Sequence, residues 1–185
     1  DSYEKVMDPE NSLRHGLIHV QITEMSDLER IARDNVNVSY QPIFLEYDIM
    51  MVEDRVGKEL ASTSYAHNTL YNKLGAHVAY GTDCPVEDLN PFPCIYSAVT
   101  RQRRNGEPEG GFYPNERVSV SDAIDCYTVE GAYMEGNEDR KGRIKPGYLA
   151  DFIVLDRDIF TIDPTDIPNV EVEATYVDGN CVYEK

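Results

Sequence analysis

AHVAYGTDCPVEDLNPF, residues 76–92, decides how the rest of the chain is read. AHVAYG is a short apolar run that reads as a buried strand, and an acid, Asp83, falls just past its end. Asn90 and Pro91 then make a good N-cap and N1 pair for a helix through LNPFPCIYSAVTRQ, 89–102. A strand, a carboxylate at its end and a capped helix are the parts of a βα unit.

Working backwards, the same alternation recurs. LIHVQI (17–22) is apolar and β-branched and predicts a buried strand. SDLERIARDN (26–35) predicts a short helix, with Ser26 as N-cap and Glu29 completing a capping box. VNVSYQPIFL (36–45) begins as a strand, and Pro42 ends its pairing. Residues 48–74 form a long polar segment with helical pieces, broken near STSY. This spacing predicts βαβ units and a parallel sheet buried on both faces. Two architectures fit: a small open α/β sheet, or a piece of a barrel, whose closure needs about eight strands.

Working forwards, NGEPEGGFYPNE (105–116) reads as a surface loop and SVSDAIDCYTVEGAYM (119–134) as a helix. That helix puts Ala123, Ile124, Tyr127 and Ala132 roughly on one face. The periodicity then changes. DFIVLD (151–156) is a nearly continuous strand, and EATYVDGNCVYEK (173–185) predicts a hairpin around Asp178-Gly179. The chain therefore divides into an α/β part, 1–141, and an antiparallel β part, 142–185.

Composition narrows the function. The 185 residues carry a net charge of −17, which excludes general affinity for nucleic-acid backbones. The local basic cluster RQRR, 101–104, suits a helix C-terminus. Four cysteines without a CxxC pair point to reduced thiols and a cytoplasmic setting, and none has an activating partner. No run approaches the roughly 20 apolar residues of a membrane span. The chain opens on Asp1 rather than Met, which reads as the remnant of something longer.

In parallel α/β folds, functional groups gather at the carboxyl ends of strands. His19, in the first strand, and Asp83, past the third and after the flexible Gly81, have such positions. An imidazole and a carboxylate suit Zn²⁺ or a similar divalent ion, and a carboxylate beside a metal can serve as general base. The plainer alternatives are a core or contact histidine and a turn-forming aspartate. His15 and His67 read as surface loop residues, and Glu87 and Asp88 as negative charge near a helix N-terminus.

With those residues laid out, RHGLIHVQI (14–22), YGTDCPVEDLNPFPCIYSAVTR (80–101) and GRIKPGYLADFIVLDRDIF (142–160) resemble the C-terminal half of amidohydrolase-superfamily enzymes. The branch is the one that includes N-substituted formamide deformylases. The resemblance runs over nearly the whole chain and in the same block order. It implies a partial (β/α)8 TIM barrel, strands six to eight with their helices, followed by part of a small β-sandwich. It further implies that His19 is the metal-binding histidine of strand six. Asp83 is then the strand-eight aspartate, which binds metal and shuttles the proton of the attacking water. The activity implied is hydrolysis of an amide-type C–N bond in a small molecule by metal-activated water, with zinc the expected metal.

The departures are specific. Ile18 stands where the family usually has a glutamate, and the arginine common before strand eight is not evident in GKELASTSY (57–65). The family's ligands on strands one, four and five have no counterpart. This chain alone is therefore expected to hold no catalytic metal tightly, to be inactive in isolation, and to pair with a missing N-terminal half or with a copy of itself. The alternative is a non-catalytic interaction or regulatory module.

Overall fold

Three short strands pair in parallel because each is followed by a segment long enough to cross back over the sheet. They are β1 (Gly16–Ile18), β2 (Asn37–Tyr40) and β3 (Val78–Tyr80), in the order β1-β2-β3. The computed structural model describes residues 2–6, 8 and 10–185. Between β1 and β2 runs α1 (Met25–Arg33). Between β2 and β3 come a 3₁₀ turn (Pro42–Phe44), α2 (Leu45–Asp48), α3 (Val52–Ala61) and a π turn (Thr69–Lys73).

Register settles which way the side chains point. Leu17, Val38 and Val78 form one row across the sheet, and Tyr40 pairs with Tyr80 on the same face. That face carries the core, with Leu28 of α1 and Tyr65, Ala66 and Leu70 packed against it. The opposite row is Ile18, Ser39 and Ala79. Ile18 is 68% exposed, so the second face is not covered there, contrary to the expectation of burial on both faces.

β1 is also shorter than LIHVQI suggested. His19 and Val20 both take left-handed backbone, φ 75° and 43°, and this turns the chain out of the sheet after Ile18. A β-branched residue rarely adopts that region, and such positions persist only where surrounding structure holds them. Helix α1 differs in a smaller way. Its N-cap is Glu24 rather than Ser26, with no side-chain capping bond, and Ser26 lies in the first turn.

After β3 comes α4 (Phe92–Thr100), whose start is tied by Asn90 Oδ1 accepting from the Phe92 N–H at 3.0 Å. Its C-cap is Arg101, left-handed at φ 54°. The basic cluster does sit at a helix C-terminus, but Arg101 is wholly buried. Its guanidinium donates to the carbonyls of Phe112 (2.6 Å), Tyr65 (2.9 Å) and Ser64 (2.9 Å), stapling three loops together. The predicted helix over 119–134 is two helices, α5 (Val120–Tyr127) and α6 (Val129–Met134). Ser119 and Asp122 form a reciprocal capping box at the start of α5.

A separate antiparallel sheet closes the chain: β4 (Phe152–Leu155), β5 (Val172–Val177) and β6 (Asn180–Glu184). The β5–β6 turn is Asp178-Gly179, both left-handed, as a two-residue hairpin of matching twist requires. Ile159, Ile167 and Val170, between β4 and β5, join the same core as Val38 and Val78. Among the described residues no helix is long and apolar enough to cross a membrane.

Candidate metal centre

The two residues singled out by sequence stand at the ends of the outer strands of the parallel sheet. His19 follows β1, and its backbone N–H still donates to Ser39 O at 2.8 Å, so the strand pairing fixes where its ring begins. Asp83 follows β3 by three residues; Gly81 N–H donates to Tyr40 O at 3.0 Å and anchors the loop that carries it. Asp83, like His19, is left-handed, with φ 60°. Aspartate tolerates this region better than most side chains do.

The structure brings the pair together. His19 Nε2 lies 3.9 Å from Asp83 Oδ2, with side chains 39% and 41% exposed. The other ring nitrogen, Nδ1, is 2.8 Å from Gln41 Oε1. Phe44 stacks against the imidazole, with centroids 5.7 Å apart and planes 28° apart. Sequence reasoning missed both Gln41 and Phe44. The available signal was Gln41-Pro42 directly after a strand, at the same end of the sheet as His19.

Bonds from a divalent cation to histidine nitrogen or carboxylate oxygen run about 2.0–2.2 Å. Two donor atoms 3.9 Å apart can therefore share one ion. Their donor chemistry, one neutral nitrogen and one anionic oxygen, fits zinc and its neighbours. A catalytic zinc takes about three protein ligands. Among the described residues no group of three or more His, Cys, Asp or Glu side chains is arranged to hold a metal ion.

The remaining histidines fall elsewhere. His67 is no surface residue: it is fully buried, ringed by Tyr40, Tyr65 and Tyr80, and neither ring nitrogen meets a protein partner within hydrogen-bond distance. Burial, with the Arg101 charge nearby, pushes its pKa well below the ordinary imidazole value. Here the local sequence misled, because the aromatic cage comes from β2, β3 and Tyr65. His77 leads into β3, bonds Glu130 Oε2 through Nδ1 at 2.8 Å and stacks on Tyr133 at 3.6 Å. In the segment between Asp83 and α4, Glu87 pairs with Arg104 at 3.4 Å, and Asp88 Oδ1 accepts from Asn90 N–H. Cys94 is buried and donates to Gly81 O at 3.6 Å; burial pushes its thiol up to about 12, which leaves it unreactive.

The chain is similar to known proteins over nearly its whole length. Residues 1–183 match the family described as the amidohydrolase family. YtcJ of Bacillus subtilis (strain 168), assigned to the amidohydrolases, is 36% identical over 190 residues, covering 100% of this chain and 36% of that protein. The N-substituted formamide deformylase of Arthrobacter pascens is 32% identical over 111 residues, 60% of this chain and 20% of its own. Among solved structures, an uncharacterized metal-dependent hydrolase from Pyrococcus horikoshii OT3 superposes with a TM-score of 0.73 at 27% identity. It matches 88% of this chain over 32% of its own length. The chain thus spans about a third, or less, of the length of these relatives.

Proposed function

This chain belongs to the amidohydrolase family, and from that premise we propose that it is the part of a metal-dependent hydrolase that carries His19 and Asp83. The reaction is hydrolysis of an amide-type C–N bond in a small molecule. The observation that carries the reading is the approach of His19 Nε2 to Asp83 Oδ2, 3.9 Å apart at the carboxyl ends of two parallel strands. Support for a partial (β/α)8 barrel, with β1, β2 and β3 as strands six, seven and eight, comes from the all-parallel order and the helices on one face.

His19 Nε2 and Asp83 would hold a divalent cation, zinc by donor type, together with donors from other parts of the protein. Bound there, such a cation polarises the substrate carbonyl and lowers the pKa of a water. Asp83 does the proton work. One carboxylate oxygen faces His19, and the other accepts the proton of the attacking water as the C–O bond forms. The same carboxylic acid then gives that proton to the amide nitrogen as the C–N bond breaks, so the site returns to its starting state. His19 orients and takes no proton in the cycle.

The remainder of the barrel would come from further strands of the same protein. Beside β1 a hollow of about 610 Å³ is lined by Leu17, Ile18, Val20, Ile22 and Ile31 on its apolar side and by Glu24, Asp27, Arg30 and Asp34 on its charged side. Neither His19 nor Asp83 lines it.

The test is a panel of N-formyl and N-acyl amines given to the longest form of the protein its gene encodes. Expected is turnover that a chelator abolishes and added zinc restores, and that His19→Ala loses. Turnover indifferent to both chelator and His19→Ala would refute the metal-dependent reading.

A further inference from the structure

We propose that Gln41 is a positioning residue that decides which ring nitrogen of His19 faces Asp83. The inference rests on the role given to His19 above and adds the device that sets its tautomer. Gln41 comes directly after β2 and is only 3% exposed. Its Oε1 is 2.8 Å from His19 Nδ1, and its Nε2 donates to Ser39 Oγ at 3.3 Å. An amide oxygen only accepts hydrogen bonds. Nδ1 therefore carries the proton, and Nε2 keeps its lone pair on the side of Asp83.

Free neutral imidazole in water favours the opposite tautomer, so the protein has to impose this one. Three contacts do so. The His19 N–H bond to Ser39 O sets the ring's starting point beside Gln41. Phe44, stacked on the ring, limits its rotation. The amide's NH₂ donates to Ser39 Oγ, a contact consistent with the amide oxygen facing His19. A partner for the far nitrogen is how a ligating histidine is commonly oriented. Because the amide is neutral, it orients the ring without adding a second negative charge to that of Asp83.

The experiment is long-range ¹H–¹⁵N correlation of the histidine-labelled chain at about pH 9, above the ordinary imidazole range. In the wild type His19 is expected to show a protonated Nδ1 and a bare Nε2. Gln41→Met keeps the volume and drops the acceptor, and should lose that single pattern for Nε2–H or a mixture. Gln41→Glu keeps an acceptor in place and should restore it. A wild-type His19 protonated on Nε2, or a Gln41→Met protein that retains Nδ1–H, overturns the role. A wild-type His19 protonated on Nε2 overturns the role even where Gln41→Met does not fold, and Gln41→Leu then serves as the second variant lacking the acceptor. None of these spectra reads hydrolysis, so a protein that shows the pattern yet cleaves no amide would refute the function and leave this role standing.

Discussion

His19 and Asp83 meet side chain to side chain although β2 lies between the strands that carry them. Adjacent strands stand about 4.8 Å apart, so β1 and β3 are separated by roughly 10 Å at the backbone. The gap closes to 3.9 Å because each residue lies beyond its strand and takes a left-handed turn, φ 75° for His19 and 60° for Asp83. Gln41, at the end of the intervening strand, bonds the far side of the same imidazole. Three strand ends thus converge on one ring.

Arg101 should matter more to stability than its place in a basic cluster implies. Its buried guanidinium satisfies the carbonyls of Ser64, Tyr65 and Phe112. Arg101→Met leaves three acceptors without their donors, a loss of about 3 kcal/mol or more. Thermal melting should show a fall in Tm of roughly 10 °C. A variant melting within a degree of the wild type contradicts the staple.

His67 should make the fold sensitive to acid. Its folded pKa lies well below 6.5 because the neutral ring is buried, so the unfolded chain binds a proton that the native state refuses. Stability therefore falls as pH drops through about 6.5 and continues to fall toward the folded value. His67→Phe keeps an aromatic in the cage and removes the titration. Tm measured between about pH 7 and 5 should decline less in His67→Phe than in the wild type. Equal slopes would contradict the assignment.

Arg14 and Glu138 give a second pH dependence of opposite origin. Arg14 bonds both oxygens of Glu138, at 2.7 and 2.5 Å, and holds that carboxyl down to about 2 from 4.5. The pair's contribution is present above pH 4.5 and is lost as pH falls from there toward 2. Both side chains are partly exposed, so the effect is modest and salt-screened. The Tm difference between wild type and Glu138→Gln should shrink across that window. A difference independent of pH would count against the pairing.

Much of the fold was legible in the residues because it depends on local pattern. The apolar runs at β1, β2 and β3, Pro42 ending β2 and the Asp178-Gly179 hairpin all express backbone preferences of a few neighbouring residues. What stayed hidden depends on partners distant in sequence. Arg101 reads only as a cation at a helix C-terminus until Ser64, 37 residues away, is seen to accept from it. His67 reads as a loop residue until Tyr40 and Tyr80 close over it. At the candidate centre, strand ends could nominate His19 and Asp83. The left-handed turns that join them, and Gln41 behind the imidazole, follow from packing that no local pattern encodes.

In the proposed function Asp83 moves the proton in hydrolysis. Asp83→Asn isolates that step, because asparagine keeps the shape and tolerates the left-handed backbone at φ 60°. In the longest form of the protein its gene encodes, amide turnover should fall by about 10³-fold or more while Tm stays within about a degree. Turnover within about tenfold of the wild type, from a protein with an unchanged melt, would contradict the account.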